Sequence, residues 1–188
     1  MKLQLTLSLL AVICLAPLAL AQDGGTPEMP KPGAEHANLK KAEGNWDAVV
    51  EGEGMEPSKG SSQMKMVLGG FWLSDHFTCD FGGMKFEGHG ITGYDPIKRK
   101  YVSTWIDNMT PSLMVTEGTF DEKTRTLNMT GDGYDHMGNK VKVRTATIHK
   151  DANTVVFEMY HKGAEAAESK VMSVTYTRHI DTPAKPAK

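Results

Sequence analysis

Short runs in which every second residue is apolar follow one another from residue 45 to residue 179, and turn-forming residues separate them at regular intervals. A repeat of two places alternate side chains on opposite faces of an extended backbone, which is the pattern of a strand with one buried face. Ten strands are predicted, near residues 45–53, 61–69, 71–80, 84–94, 100–108, 112–120, 125–133, 140–149, 154–161 and 168–179. Only Glu35–Ala42, "EHANLKKA", reads as a helix, one or two turns long.

The connections are short. Hairpin chemistry stands at Tyr94–Lys100 ("YDPIKRK"), Phe120–Arg125 ("FDEKTR") and His149–Thr154 ("HKDANT"). Strands joined this way pair with their sequence neighbours, and the chain has no room for the long crossovers that parallel strands need. Ten strands in one open sheet would expose two edges, whereas closure removes both. The fold class predicted is all-β: a ten-stranded antiparallel up-and-down barrel with a short N-terminal helix. A two-sheet sandwich is the alternative, and it calls for longer cross-connections than these.

The same alternation sorts side chains by face. Met64, Met66 and Leu68 share one face, Val141 and Val143 another, Phe157 and Met159 a third. Met172, Val174, Tyr176 and Arg178 form a fourth, in which an arginine continues an apolar row at the end of the last strand. Gly88, Gly90 and Gly93 interrupt a strand without any following helix, so they are read as sites of close approach or coiling rather than a phosphate loop.

The ends differ in composition. Residues 1–21 have the basic start, apolar run and small-x-small exit of a secretory leader, with cleavage after Ala21; Pro17 breaks the run that a membrane span would need. Residues 22–34 are a Pro/Gly-rich linker and 181–188 a similar tail, both expected to be disordered, leaving 35–180 as the barrel domain. The expected location is therefore periplasmic or secreted, with no membrane span after cleavage. Loss of Lys2 changes the formal charge from -2 to -3, and no basic stripe marks a nucleic-acid partner. Of the two cysteines Cys79 alone would survive, so no internal disulfide is expected, and nothing specifies an oligomeric state.

"EGNWD" at Glu43–Asp47, with Arg178 closing "TYTR", resembles the signature of the calycin superfamily, which includes lipocalins, fatty-acid-binding proteins and nitrobindin-like haem barrels. That resemblance implies that Trp46 closes the barrel base and that Arg178 packs over it. The ordered set "EHANLKKAEGNW", "VLGGFWL", "GGMKFEGHGITGYD", "YVSTWIDNM", "VTEGTFD", "VKVRTAT" and "FEMY" is similar to the bacterial family of domain of unknown function 1579. The family implies a fold but no activity, ligand or catalytic residue.

Candidate chemistry is sparse. Trp105 and Asp107 share a face, a turn over 108–112 would set Glu117 opposite Ser103, and the phase of Leu73 and Phe77 adds Asp75. If that face is interior, the barrel holds an indole and up to three carboxylates, which would orient a ligand or serve as an acid/base pair of Asp107 and Glu117. A one-residue slip would instead turn them to solvent. Ligand-facing candidates are thus Trp105, Asp107, Glu117, Asp75 and Tyr176.

The seven histidines (36, 76, 89, 136, 149, 161 and 179) show no zinc-finger or His-Glu-x-x-His spacing, so no metal site is expected. Nor is a cofactor, although His161, with His149 behind it, is the best-placed ligand for a haem. Eleven methionines follow Met1 and spread over most strands, which suits an adaptable core or cavity better than copper binding. The leading expectation is non-covalent binding of a small apolar molecule. An enzyme using interior carboxylates and a barrel filled by its own side chains are the alternatives.

Overall fold

The computed structural model describes residues 29–135 and 137–180. The leader expected over 1–21, most of the linker and the tail over 181–188 lie outside the described residues. A helix, α1 (Ala34–Lys40), precedes ten strands: β1 (Gly44–Gly52), β2 (Ser58–Val67), β3 (Trp72–Phe81), β4 (Met84–Asp95), β5 (Lys100–Asp107), β6 (Met114–Asp121), β7 (Thr126–Tyr134), β8 (Lys140–His149), β9 (Thr154–Lys162) and β10 (Ser169–Arg178). No described helix is long and apolar enough to cross a membrane.

Each strand pairs antiparallel with its sequence neighbours, and β1 also pairs with β10, so the sheet closes without a free edge. The first strand therefore touches the last: Trp46 stands opposite Arg178 and Val50 opposite Val174. Up-and-down order puts the turns after β2, β4, β6 and β8 at one end with α1, here called the base. The turns after β1, β3, β5, β7 and β9 form the mouth.

Most boundaries move by one or two residues from those predicted, and the start of β2 moves furthest. β2 starts at Ser58, although Ser58-Lys59-Gly60 has low strand propensity, because β1 and β3 on either side supply paired backbones. β2 ends in a 3-10 turn over Leu68–Gly70, with Gly69 and Gly70 at φ 73° and 87°.

The base is packed. Leu39 and Ala42, at the end of α1 and just beyond it, join Leu73, Tyr101, Leu127 and Met129 in one buried cluster. Tyr101 donates its hydroxyl to the Glu35 carbonyl at 3.1 Å, which fixes the helix across the opening. Trp46, 1 % exposed, is the most enclosed large side chain, and its Nε1 donates to the Ala42 carbonyl at 2.9 Å. A second cluster lines the wall above it, with Ala48, Val50, Phe77, Cys79, Val155, Val174 and Tyr176. Cys79 is buried and unpaired among the described residues, and burial raises its thiol pKa.

Candidate functional site

Inward-facing side chains fall on ladders that the register defines. One rung runs Met64, Asp75, Gly90, Trp105, Met114 across β2 to β6. The next runs Ser62, Phe77, Gly88, Asp107. Gly88 and Gly90 leave room for the Trp105 indole, which lies against both: a Cβ at Gly88 would overlap the ring, and one at Gly90 would sit 3.0 Å from it. The indole is thus laid along the inner wall with Asp75 beyond Gly90 on the same rung.

Asp75 is a carboxylate largely enclosed by this wall. One carboxylate oxygen accepts the Ser62 hydroxyl at 2.5 Å. Burial pushes its pKa up, opposed by that hydrogen bond and by the charge of His76 and His89 on the outer face. Tyr176, 8 % exposed, stands edge-on to Phe77, with ring centroids 6.2 Å apart. Burial raises its phenol pKa well above the ordinary value, and the Asp75 charge adds to the rise. Among the described residues, Asp75 accepts one side-chain hydrogen bond, from Ser62, and no fully buried polar side-chain atom is left without a partner.

Trp105, Phe157, Met159, His161 and Met172 point inward yet remain partly exposed, as do Met64 and Met66 nearer the base, whereas Val143 opposite His161 and Val174 opposite Phe157 are buried. In a closed wall, an inward residue that meets solvent borders open space. The mouth turns and flanking strand ends add exposed apolar side chains, Met55, Met84, Met109, Leu113 and Met137. A groove of about 800 Å³ continues over the rim at β6 to β8, bounded on the inside by Thr116, Gly131 and Val143 and on the outside by Glu117, Lys142 and Arg144.

The candidate residues named from sequence do not all meet. Asp75, Trp105, Asp107 and Tyr176 face inward; Glu117 does not. Ser103 pairs with Thr116, and Glu117 stands opposite Val102 on the outer wall. There Lys100 and Lys98 bind its carboxylate at 2.6 and 3.0 Å and pull its pKa down to about 2. The cause is a one-residue register difference, since the β5–β6 connection begins its pairing at Trp105 with Met114. Asp107 is also committed: it accepts the Trp105 Nε1 at 3.1 Å and the amides of Met109 and Thr110 at 2.9 and 2.7 Å. It orients the indole and closes a turn, and the acid/base pair of Asp107 and Glu117 is not assembled. His161 faces inward near the mouth and His149 lies at the base, and burial lowers the pKa of both. Ser62 and the glycines under Trp105 carry the site as much as the named residues. Only the glycine spacing hinted at them.

A closed ten-stranded antiparallel barrel with its base plugged by a helix and a Trp–Arg contact defines a calycin-like protein. The chain belongs to the family described as protein of unknown function (DUF1579), whose model matches residues 31–178. Among solved structures, it is similar to an S-type phycobiliprotein lyase, CPES, from Guillardia theta, with 9 % identity, 80 % of this chain and 100 % of that chain covered, and a TM-score of 0.52. It also aligns with EF1p2_mFAP2b bound to DFHBI at 11 % identity, covering 78 % of this chain and 100 % of that one, with a TM-score of 0.43. At these identities the likeness concerns fold alone. No curated protein matches the chain.

Proposed function

We propose that this protein is an exported small-molecule-binding barrel, whose ligand is largely apolar and carries one hydrogen-bond donor. The observation that carries the reading is the lumen wall itself. Part-exposed Trp105, Phe157, Met159 and Met172 share the inner wall with the Asp75 carboxylate and the Tyr176 phenol. A barrel filled by its own side chains would bury those aromatics and thioethers. Apolar pockets with a few placed polar groups are the usual form of small-molecule sites. Methionine at the rim suits a passage that adapts to ligand shape. Export rests on the leader-like N-terminus.

The test uses N-phenyl-1-naphthylamine, an apolar fluorescent amine with a single N–H donor. Wild type is expected to enhance its emission saturably. Denaturing extraction of freshly purified protein should release an apolar molecule detectable by mass spectrometry. No enhancement together with an empty extract would leave the filled-barrel reading in its place.

A further inference from the structure

The outer wall of β3 and β4 carries a cluster that neither the lumen nor the base uses. His76 and His89 are direct cross-strand partners, and both point outward. Glu87 lies two residues before His89 on the same strand face. The imidazole rings stack with centroids 4.4 Å apart and planes 2° from parallel. Both Nε2 atoms approach the same carboxylate oxygen, Glu87 Oε1, at 2.9 Å from His76 and 3.3 Å from His89. All three donor atoms lie within 4.8 Å of one another.

From this arrangement we infer that His76, Glu87 and His89 form a binding site for a late first-row divalent cation of the zinc class. Two imidazoles and one carboxylate make a donor set typical of such ions. With bonds of about 2.0–2.1 Å, neighbouring donors around a tetrahedral ion stand about 3.3 Å apart. The two nitrogen–oxygen separations already fall near that edge, and for both nitrogens to meet one ion the parallel rings must tilt out of their stack so that their in-plane lone pairs converge. Among the described residues no lysine or arginine pairs with the carboxylate, whose side-chain hydrogen bonds and ion pairs there are to these two histidines. The cross-strand neighbours are Gln63, Thr78 and Ile106, all uncharged. Side-chain exposures of 43 %, 55 % and 53 % for His76, Glu87 and His89 leave the site open to an incoming ion. Three protein donors leave a fourth position for water or a donor from another molecule.

Motif spacing conceals this site. The two histidines are thirteen residues apart and meet only through the β3–β4 register.

The site is tested by isothermal titration of Zn²⁺ into full-length, tag-free protein at pH 7.5. One equivalent is expected to bind with micromolar or tighter affinity. His76→Ala/His89→Ala should abolish that binding, Glu87→Gln should weaken it by about tenfold or more, and His161→Ala should leave it unchanged. Since a variant could misfold, the wild type is also labelled with diethyl pyrocarbonate and mapped by mass spectrometry. Zn²⁺ should protect His76 and His89 but not His161. No uptake by wild type, uptake that survives the double substitution, or protection of other histidines in place of these would overturn the assignment. N-phenyl-1-naphthylamine binding by the His76→Ala/His89→Ala and Glu87→Gln variants should be unaffected, so the outer site and the lumen stand or fall separately.

Discussion

Arg178 lies over the Trp46 indole, its Cζ 4.2 Å from the ring centroid, while its guanidinium donates to the carbonyls of Glu43, Lys41 and Ala152 at 2.8, 3.1 and 3.1 Å. One side chain thereby ties the exit of the last strand to the entry of the first and to the β8–β9 turn. Gly44 makes room for it: its φ of 139° and the nearness of Arg178 Nη1 exclude a larger residue.

Arg178→Ala removes a cation–π contact and three charge-assisted hydrogen bonds and leaves carbonyls unpaired. A loss of about 2–4 kcal/mol is expected by chemical denaturation. Arg178→Lys should recover only a minority of it, because an ammonium cannot span three carbonyls while stacking flat on an indole. Probe affinity should hold in whatever fraction stays folded, since the contact lies below the lumen.

Asp75 carries a linkage prediction. Burial raises its folded pKa above the unfolded value, so the folded state binds the proton more readily. Its ionisation therefore opposes folding once pH rises above the ordinary aspartate range, and that penalty is absent below about pH 4. Asp75→Asn should raise the thermal midpoint at pH 7, and the gain should shrink as pH falls towards 4. The same variant should bind N-phenyl-1-naphthylamine several-fold more weakly if the carboxylate accepts its N–H. Higher stability with unchanged affinity would assign Asp75 no part in binding.

Gly88→Val tests the seat of Trp105. Its Cβ would overlap the indole, so the ring or the strand must shift. Overpacking of this kind costs about 1–3 kcal/mol, read from the denaturant midpoint. Probe affinity should fall in parallel because the displaced ring enters the lumen.

Glu117→Gln separates the outer wall from the inner. The Lys100 and Lys98 contacts favour the ionised carboxylate, so their support is present above the ordinary glutamate value and fades as pH falls towards about 2. The pair is exposed and screened, so the thermal midpoint should drop only slightly at low salt and not measurably at high salt. Probe binding should be unchanged. A large loss of binding would place Glu117 in the ligand path over the rim.

Production with the native N-terminus in a Gram-negative host checks export. A periplasmic product whose intact mass begins at Gln22 is expected. A full-length product confined to the cytoplasm would contradict it.

Strand identity was legible because alternation is a local property. All ten strands lie within a few residues of the runs read from pattern, and short turns allowed only neighbour pairing. The ligand-type residues were less legible. Asp75 and Trp105 share a rung because of paired strands up to thirty residues apart, and the space between them is made by Gly90.

The chain's own pattern was enough to determine an antiparallel up-and-down arrangement, since burying one strand face and satisfying every edge leaves few other solutions. Tertiary structure alone decided which carboxylate meets the lumen and which histidines meet each other. The side-chain repeat of a strand is two, so the register at Trp105 and Met114 turns Thr116 inward and Glu117 outward. The pairing of His76 with His89 likewise follows from how β3 and β4 align along their whole length. Register depends on loop geometry and on the collective packing of the closed wall, and no short window of sequence contains either.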